Sequence, residues 1–529
     1  MTAAGRQRME RLHVLDAQFL HMEDDCSPMH IAGLCTFEGP VPPREEMRRL
    51  FAAKLALVPR YRRRVRFLPL ELGRPVWVDD PHFDLDYHLR RTALPAPGDD
   101  AALCALMGRL MSQVLDRDRP LWEVWVVEGL EGGRWALVSK VHHAMVDGVS
   151  GVELTGILLD SEPDRLLPPT SEWTPAPEPS RIAKVLDAWG GLAHDARRLA
   201  GNAIAAVRHP AAGARALRET WAGLAAMSRR LFTLRTGAIQ GTVGRHRSYA
   251  HTSASLADVQ TIRKALGGTV NDVVLAAVSG GYRALLADRG GYPDTARVRS
   301  LVPVSTRAPD AHGILDNRVS ALLCDLPVHV ADPAERLLAV RAEMERLKAS
   351  HMAEAGAWVV DIGDLAPPFV VGAITRLAMR MMHQVPQRSL ATVTTNVPGP
   401  RQPLYCLGKR MLEWHPYVPI SQGVRVSTAI LSYAGRLGFG VTSDYDTFPD
   451  ASLLARGIVH GIDDLLARAR GSLARRDEGT QPGLAEGKAE PERRADVERE
   501  QGVAEQGIVT ATAACSARLP PSRGRNPCG

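Results

Sequence analysis

The chain has no run of about 18 consecutive apolar residues, so no membrane-spanning helix is expected. The nearest approach, residues 365–382, is broken by Pro367-Pro368 and carries Arg376 and Arg380. Met1–Glu10 is polar and has no apolar core, so no secretory leader is expected. Neither CxxC nor HExxH occurs, and no third nitrogen or sulfur ligand stands at recognisable spacing from the pair His142-His143, so no metal site is expected. A Gly-x-Ser-x-Gly elbow is also missing, which removes the usual mark of a covalent serine nucleophile. The seven cysteines, at 26, 35, 104, 324, 406, 515 and 528, are odd in number and scattered, as suits reduced thiols in a cytosolic setting. Formal net charge is only +6, so any basic effect must be local, and no nucleic-acid partner is expected. From Gly471 to Gly529 there is no Phe, Trp or Tyr. That stretch is rich in Glu, Arg, Ala, Gly and Pro and is expected to be disordered.

What is present is a globular composition, 45% apolar and 23% charged, over 529 residues, too many for one ordinary core. Pro168–Pro179 reads as a linker. Behind it, Ile182, Val185, Leu186, Trp189, Leu192, Ala196 and Leu199 recur at helical spacing until Pro210, and a second helix carries Leu217, Trp221, Leu224 and Leu231. Residues 181–235 hold ten Lys or Arg against three Asp or Glu, a net of +7. Such helices suit an anionic lipid surface, or else pack on the protein as an interdomain hairpin. The division expected is an N-terminal half, 1–165; a linker with basic amphipathic helices, 166–245; a C-terminal half, 246–470; and a tail, 471–529.

The chemistry concentrates at His142-His143-Ala144-Met145-Val146-Asp147-Gly148. An expected strand, Arg134–Val141, leads into it, and a strand end can aim a short loop into a cleft. A neutral imidazole there can take a hydroxyl proton at physiological pH, since its ordinary pKa is about 6.5. Asp147 could fix the loop by an ion pair or a capping bond, and Gly148 allows a tight turn or a close substrate approach. Pro120-Leu121-Trp122 opens a strand that should form a hairpin with Arg134–Val141, which makes Trp122 a support beside the histidines. Asn271 and Asp272 stand at the start of an apolar helix, Val273–Leu286, where capping suffices as an explanation, although an amide there can also donate to a developing oxyanion. Thr394 to Pro400 reads Thr-Thr-Asn-Val-Pro-Gly-Pro, with a turn at its end, with Thr395 and Asn396 as structural support of the site and a Thr hydroxyl able to hydrogen-bond substrate or intermediate. Asp16 could cap a short helix holding Phe19 and Leu20, packing residues ahead of the strand Met29–Phe37. Phe83–Leu89 is expected as a short strand, Leu256–Leu266 as a helix, Val424–Tyr433 and Arg436–Tyr445 as a hairpin around Ala434-Gly435, and Phe448–Leu466 as including the closing helix. Tyr61 to Arg66 includes four arginines, either a phosphate-attracting cluster or a solvated strand edge.

The heptad resembles the HHxxxDG signature of acyl-CoA-dependent acyltransferases, which condensation domains of peptide synthetases also carry. The wider chain resembles the bacterial wax ester synthase/diacylglycerol acyltransferase family. The resemblance runs in order through the LD-x-x-FL and PMH elements (Asp16, Phe19, Leu20, Pro28, Met29, His30), Pro120-Leu121-Trp122, the histidine motif, Asn271-Asp272, the element ending in Arg307, and Thr395-Asn396-Val397-Pro398-Gly399-Pro400. Thr395 replaces the family's serine, and Asp316 stands where glycine is common.

That resemblance implies an α/β (α+β) fold of two chloramphenicol-acetyltransferase-like halves. Each would be a mixed sheet flanked by helices, joined by a helical linker, with the active-site channel between them. It implies acyl-CoA as co-substrate with no resident cofactor, and a lipid alcohol as acceptor: diacylglycerol, giving triacylglycerol, or a fatty alcohol, giving a wax ester. His143 would be the general base and His142 would shape the loop. Asp147 would pair with Arg307, Gly148 would give access, and Asn271 would face the oxyanion. A cytoplasmic protein held peripherally at the plasma membrane or on lipid inclusions is expected. The rival readings are a condensation-type domain and a non-catalytic lipid-surface protein.

Overall fold

The computed structural model describes residues 10–69, 73–145, 156–163, 173–180, 182–186, 189, 197, 239–305, 319–349, 377 and 389–478. Two six-stranded sheets carry the fold. The first has the order β11-β12-β1-β6-β5-β4, built from β1 (His30–Phe37), β4 (Leu89–Ala93), β5 (Trp122–Leu130), β6 (Arg134–His142), β11 (Tyr405–Cys406) and β12 (Lys409–Tyr417). The second has the order β7-β14-β13-β10-β8-β9, from β7 (Arg247–Ser255), β8 (Val298–Ser305), β9 (Val319–Leu326), β10 (Thr392–Val397), β13 (Val426–Tyr433) and β14 (Arg436–Asp444). A small ribbon pairs β2 (Arg63–Arg66) with β3 (Val76–Asp79). Both large sheets are mixed: β4 runs parallel to β5, and β10 runs parallel to both β13 and β8.

β6 is central in the first sheet and reads Arg-Trp-Ala-Leu-Val-Ser-Lys-Val-His, buried from Trp135 onward on both faces. Its one charged residue past Arg134, Lys140, is 1% exposed and donates to the carbonyls of Leu110 and Gln113, 2.9 and 2.5 Å away. Those carbonyls lie at the end of α4 (Asp100–Met111) and just beyond it, and the start of that helix is capped by the Asp99 carboxylate accepting from Ala102 N. α1 (Val14–Met22) and α2 (Arg44–Leu55) complete the covering of this half, with Leu20, Met47, Leu50 and Phe51 in its core. In the second half, α5 (Leu256–Leu266) and α6 (Val270–Asp288) follow β7. α6 is apolar over most of its circumference because it lies inside the core with α7 (Pro333–Ala349) and α8 (Ala451–Glu478).

A strand from the C-terminal half closes the N-terminal sheet: β12 pairs antiparallel with β1 from Ala32↔Tyr417 to Phe37↔Met411. The same strand lies over β14. A methyl group added at Gly438 would come within 2.1 Å of the Trp414 carbonyl oxygen, and one at Gly440 within 1.7 Å of the Pro416 oxygen. Glycine at these two positions lets the two sheets touch backbone to backbone.

Three local expectations change. Asp16 lies in the first turn of α1, buried, and His13 takes the N-cap position. The helix starts earlier because Leu12 is fixed just before it by a bond from its N–H to Pro75 O, 2.9 Å. Phe83–Leu89 is not a strand: Leu85–His88 is a helical turn, α3, before β4. The Asp84 carboxylate accepts Asp86 N–H at 3.0 Å and starts that turn. The closing helix α8 begins at Ala451 and runs on to Glu478, past Leu466.

Candidate active site

His142 ends β6, and His143 begins a single 3-10 turn, His143–Met145. Three hydrogen bonds bracket this point. His142 N donates to Leu121 O (2.9 Å), His143 N donates to Met29 O (2.8 Å), and Ala144 N donates to His142 Nδ1 (3.0 Å). The Pro120-Leu121-Trp122 and Pro28-Met29-His30 elements thus meet the histidines through backbone. Trp122 is 1% exposed, donates from its indole nitrogen to Tyr61 O, and stacks on His88 with centroids 4.5 Å apart.

The His143 ring stacks on Phe19, centroids 3.8 Å apart and planes 15° from parallel. Burial pushes its pKa down to about 4; its own backbone carbonyl works the other way, and His142 adds to the lowering. His143 is therefore neutral at physiological pH. His142 is fully buried, and its Nε2 lies 3.4 Å from Glu23 Oε1. Glu23, at the C-terminal cap of α1, also receives Arg117, whose Nε and terminal nitrogen lie 3.0 and 2.7 Å from Oε2. His30 is fully buried with Nε2 2.9 Å from Met111 O, a core histidine.

In the second half, Thr392, Thr394 and Asn396 alternate along β10 on the face turned toward α6. Tyr282 donates to Thr392 Oγ1 (2.7 Å), Ser300 donates to Thr394 Oγ1 (2.8 Å), and Asn396 Nδ2 donates to Asn271 Oδ1 (3.3 Å). Two residues singled out in the sequence, Asn271 and Asn396, are thus in contact. Since the Asn271 oxygen is taken, its amide nitrogen is the end suited to donate to a ligand. Thr395 falls on the opposite face of β10 from Asn396. Asp272 closes a capping box with Thr269: Thr269 N donates to Asp272 Oδ2 (2.8 Å), and Asp272 N donates to Thr269 Oγ1 (3.2 Å). Asp147, Gly148 and Arg307 lie outside the described residues.

The arginines from 60 to 66 are all engaged within the protein. Arg60 and Arg63 meet Glu10, Arg63 also meets Asp79, and Arg64 and Arg66 meet Glu178 and Asp118 through carboxylate or carbonyl oxygens. Arg62 donates to Leu55 O. A cavity of about 930 Å³ lies elsewhere, lined among others by Ser112, Arg247, His251, Glu413, His415 and Arg436. His143 is not among its lining residues. Sequence reasoning passed over Glu23, Thr269 and Lys140. Of these only Thr269 carried a readable signal, as the first residue of a Thr-x-x-Asp capping pattern.

Two mixed sheets, the first completed by a strand from the C-terminal half, with a histidine pair at the end of a central strand, define the class. The first condensation domain of the calcium-dependent antibiotic synthetase has the same fold, with a TM-score of 0.52 at 16% identity over 87% of this chain and 97% of that one. Residues 12–274 match the family model "Wax ester synthase/diacylglycerol acyltransferase catalytic domain", and residues 315–465 match "WS/DGAT C-terminal domain". The Mycobacterium tuberculosis protein named probable diacylglycerol O-acyltransferase tgs1 is 36% identical over 88% of this chain and 99% of its own length. The wax ester synthase/diacylglycerol acyltransferase from Marinobacter aquaeolei VT8 superposes with a TM-score of 0.61 at 25% identity, covering 87% of this chain and 100% of that one. The chain belongs to the wax ester synthase/diacylglycerol acyltransferase family.

Proposed function

We propose that this protein transfers a long-chain acyl group from acyl-CoA to diacylglycerol, forming triacylglycerol, with His143 as general base. The observation that carries the reading is the neutral, half-buried imidazole of His143, held at the end of β6 by backbone on both sides. The names of its relatives supply the substrates. His143 would take the acceptor hydroxyl proton on Nε2 as the alkoxide oxygen bonds to the thioester carbon. The tetrahedral oxyanion would receive the Asn271 amide. Collapse breaks the carbon–sulfur bond, and the proton passes from His143 to the departing thiolate. No acyl-enzyme forms. Asp147 and Arg307 would pair to hold the loop, with Gly148 giving access.

The second reading is wax ester synthesis on a fatty alcohol, supported by the double name of the Marinobacter neighbour. Labelled acyl-CoA offered in parallel with diacylglycerol and hexadecanol decides between the two by the labelled product. His143→Ala should abolish both products with the fold intact, and an active variant would reject the assignment.

A peripheral hold on a lipid surface belongs to the same proposal, on the cytoplasmic side. Ile182, Leu186 and Trp189 are 73, 64 and 59% exposed at helical spacing. No helix among the described residues is long and apolar enough to cross a membrane. Flotation with anionic vesicles should lose the protein when the three are changed to serine, and unchanged flotation would reject the lipid contact.

A further inference from the structure

The carboxylate of Glu23 has more contacts than a helix end needs. Its side chain is only 4% exposed, yet it carries a charge. One oxygen takes Met29 N–H at 3.1 Å and faces His142 Nε2 at 3.4 Å. The other takes two N–H groups of Arg117. Arg117 in turn donates to Leu20 O, 2.9 Å, on the same helix. Burial pushes the carboxyl up, but His142 and Arg117 outweigh it and hold it at about 2.

Each of these contacts bears on the turn that presents His143. Because His142 Nδ1 accepts from Ala144 N–H, the neutral ring must carry its proton on Nε2. That Nε2–H faces Glu23. With the ring so oriented, Nδ1 fixes the peptide immediately after His143. Met29 fixes the one before it, since its N–H donates to Glu23 and its carbonyl receives His143 N–H. One carboxylate therefore holds both flanks of His143 from behind. Phe19, one helical turn earlier on α1, covers the His143 ring itself.

We infer that Glu23 is a positioning residue for acyl transfer, anchored by Arg117, which sets the tautomer and orientation of His142 and through it the backbone turn carrying His143. The inference rests on the reading of His143 as the base. The first histidine of the pair then acts as a strut between Glu23 and the peptide of Ala144.

The test compares Glu23→Ala, Glu23→Gln and His143→Ala in the full-length protein. Glu23→Ala should lower kcat about tenfold or more, as misplacing a catalytic group does, with KM for acyl-CoA nearly unchanged. Glu23→Gln keeps an acceptor oxygen of the same reach and should recover most of that loss. Nitrogen-detected imidazole spectra should show His142 as the Nε2–H tautomer in the wild type and the Gln variant, but mixed in the Ala variant. If Glu23→Ala does not fold, Glu23→Asp, with the charge kept and drawn back by one methylene, should show the same fall in kcat. Wild-type kcat in Glu23→Ala, or in Glu23→Asp where it stands in, overturns the inference. So does an equal loss in the Ala and Gln variants that tracks a drop in melting temperature. Activity surviving in His143→Ala would instead overturn the general-base reading. An inactive His143→Ala beside an unimpaired Glu23→Ala removes only the role given to Glu23.

Discussion

Phe19 lies face to face with His143, ring centroids 3.8 Å apart, so a packing residue of the first helix sets the environment of the candidate base. Stacked there, it keeps water from one face of the imidazole, and burial is the main cause of that ring's pKa near 4. The base must be neutral to act, so the acid limb of kcat/KM should fall near pH 4 rather than near 6.5. Phe19→Ala admits water and should move that limb upward by about one pH unit or more. A pH–rate profile of the two proteins checks this. An unmoved limb would show that the stack does not set the basicity.

Asn271 provides a second test, because its oxygen and nitrogen play different parts. The oxygen accepts from Asn396, which leaves the amide nitrogen as donor. Asn271→Asp keeps an oxygen for Asn396 but loses the donor, while Thr269 and Asp272 still cap the helix. Loss of one oxyanion donor costs roughly a hundredfold to a thousandfold in kcat. Single-turnover rates of Asn271→Asp and Asn271→Ala should fall alike by that order. A wild-type rate in the Asp variant would remove Asn271 from the reaction.

The sequence showed most of the elements because their signals are local. Leu256–Leu266 is a helix with the expected bounds, and the hairpin around Ala434-Gly435 is present. α3 was misread because the apolar spacing of Phe83, Leu85, Tyr87 and Leu89 suits a strand, while the Asp84 capping bond that decides the matter is a single contact. Nothing local in 409–417 says that this strand joins β1, hundreds of residues earlier in the chain, since pairing partners depend on tertiary packing. Of the candidate site residues, the two histidines and Asn271 were visible as residue types. Glu23 and Lys140 were not, because a buried charge is recognisable only through partners that the fold brings to it.

The contact between the two sheets can be tested at Gly440. A methyl group there would meet the Pro416 oxygen at 1.7 Å, and that oxygen belongs to the backbone of β12 and cannot swing aside. Gly440→Ala must therefore push β12 away from β14. The cost should be about 1–3 kcal/mol or more, in the range of overpacked cores. A control, Gly435→Ala at the tip of the β13–β14 hairpin, has open space around the added methyl, though its φ of 81° still carries a backbone cost. Urea midpoints should show the larger loss at 440, and equal losses would show that β12 gives way freely.

Acid stability follows from histidines buried in the neutral form. Burial holds His143 and His88 at about 4 and His251 at about 3, against an ordinary value near 6.5. Each folded value lies below the unfolded one, so between these limits the unfolded chain binds more protons than the native one. Stability is therefore fully present above about pH 6.5 and is lost as the pH falls toward 4, and further toward 3 for His251. Glu23, held at about 2, adds a loss of the same sign once the pH drops below the ordinary glutamate range. Denaturant midpoints should thus be level from about pH 8 to 6.5 and then decline, with a proton uptake on unfolding that approaches one each for His143, His88 and His251. His251→Gln removes one such group, whose Nε2 has no hydrogen-bond partner among the described residues to lose, and should reduce the slope by about one proton. A slope unchanged by that substitution would mean that His251 is charged in the native protein.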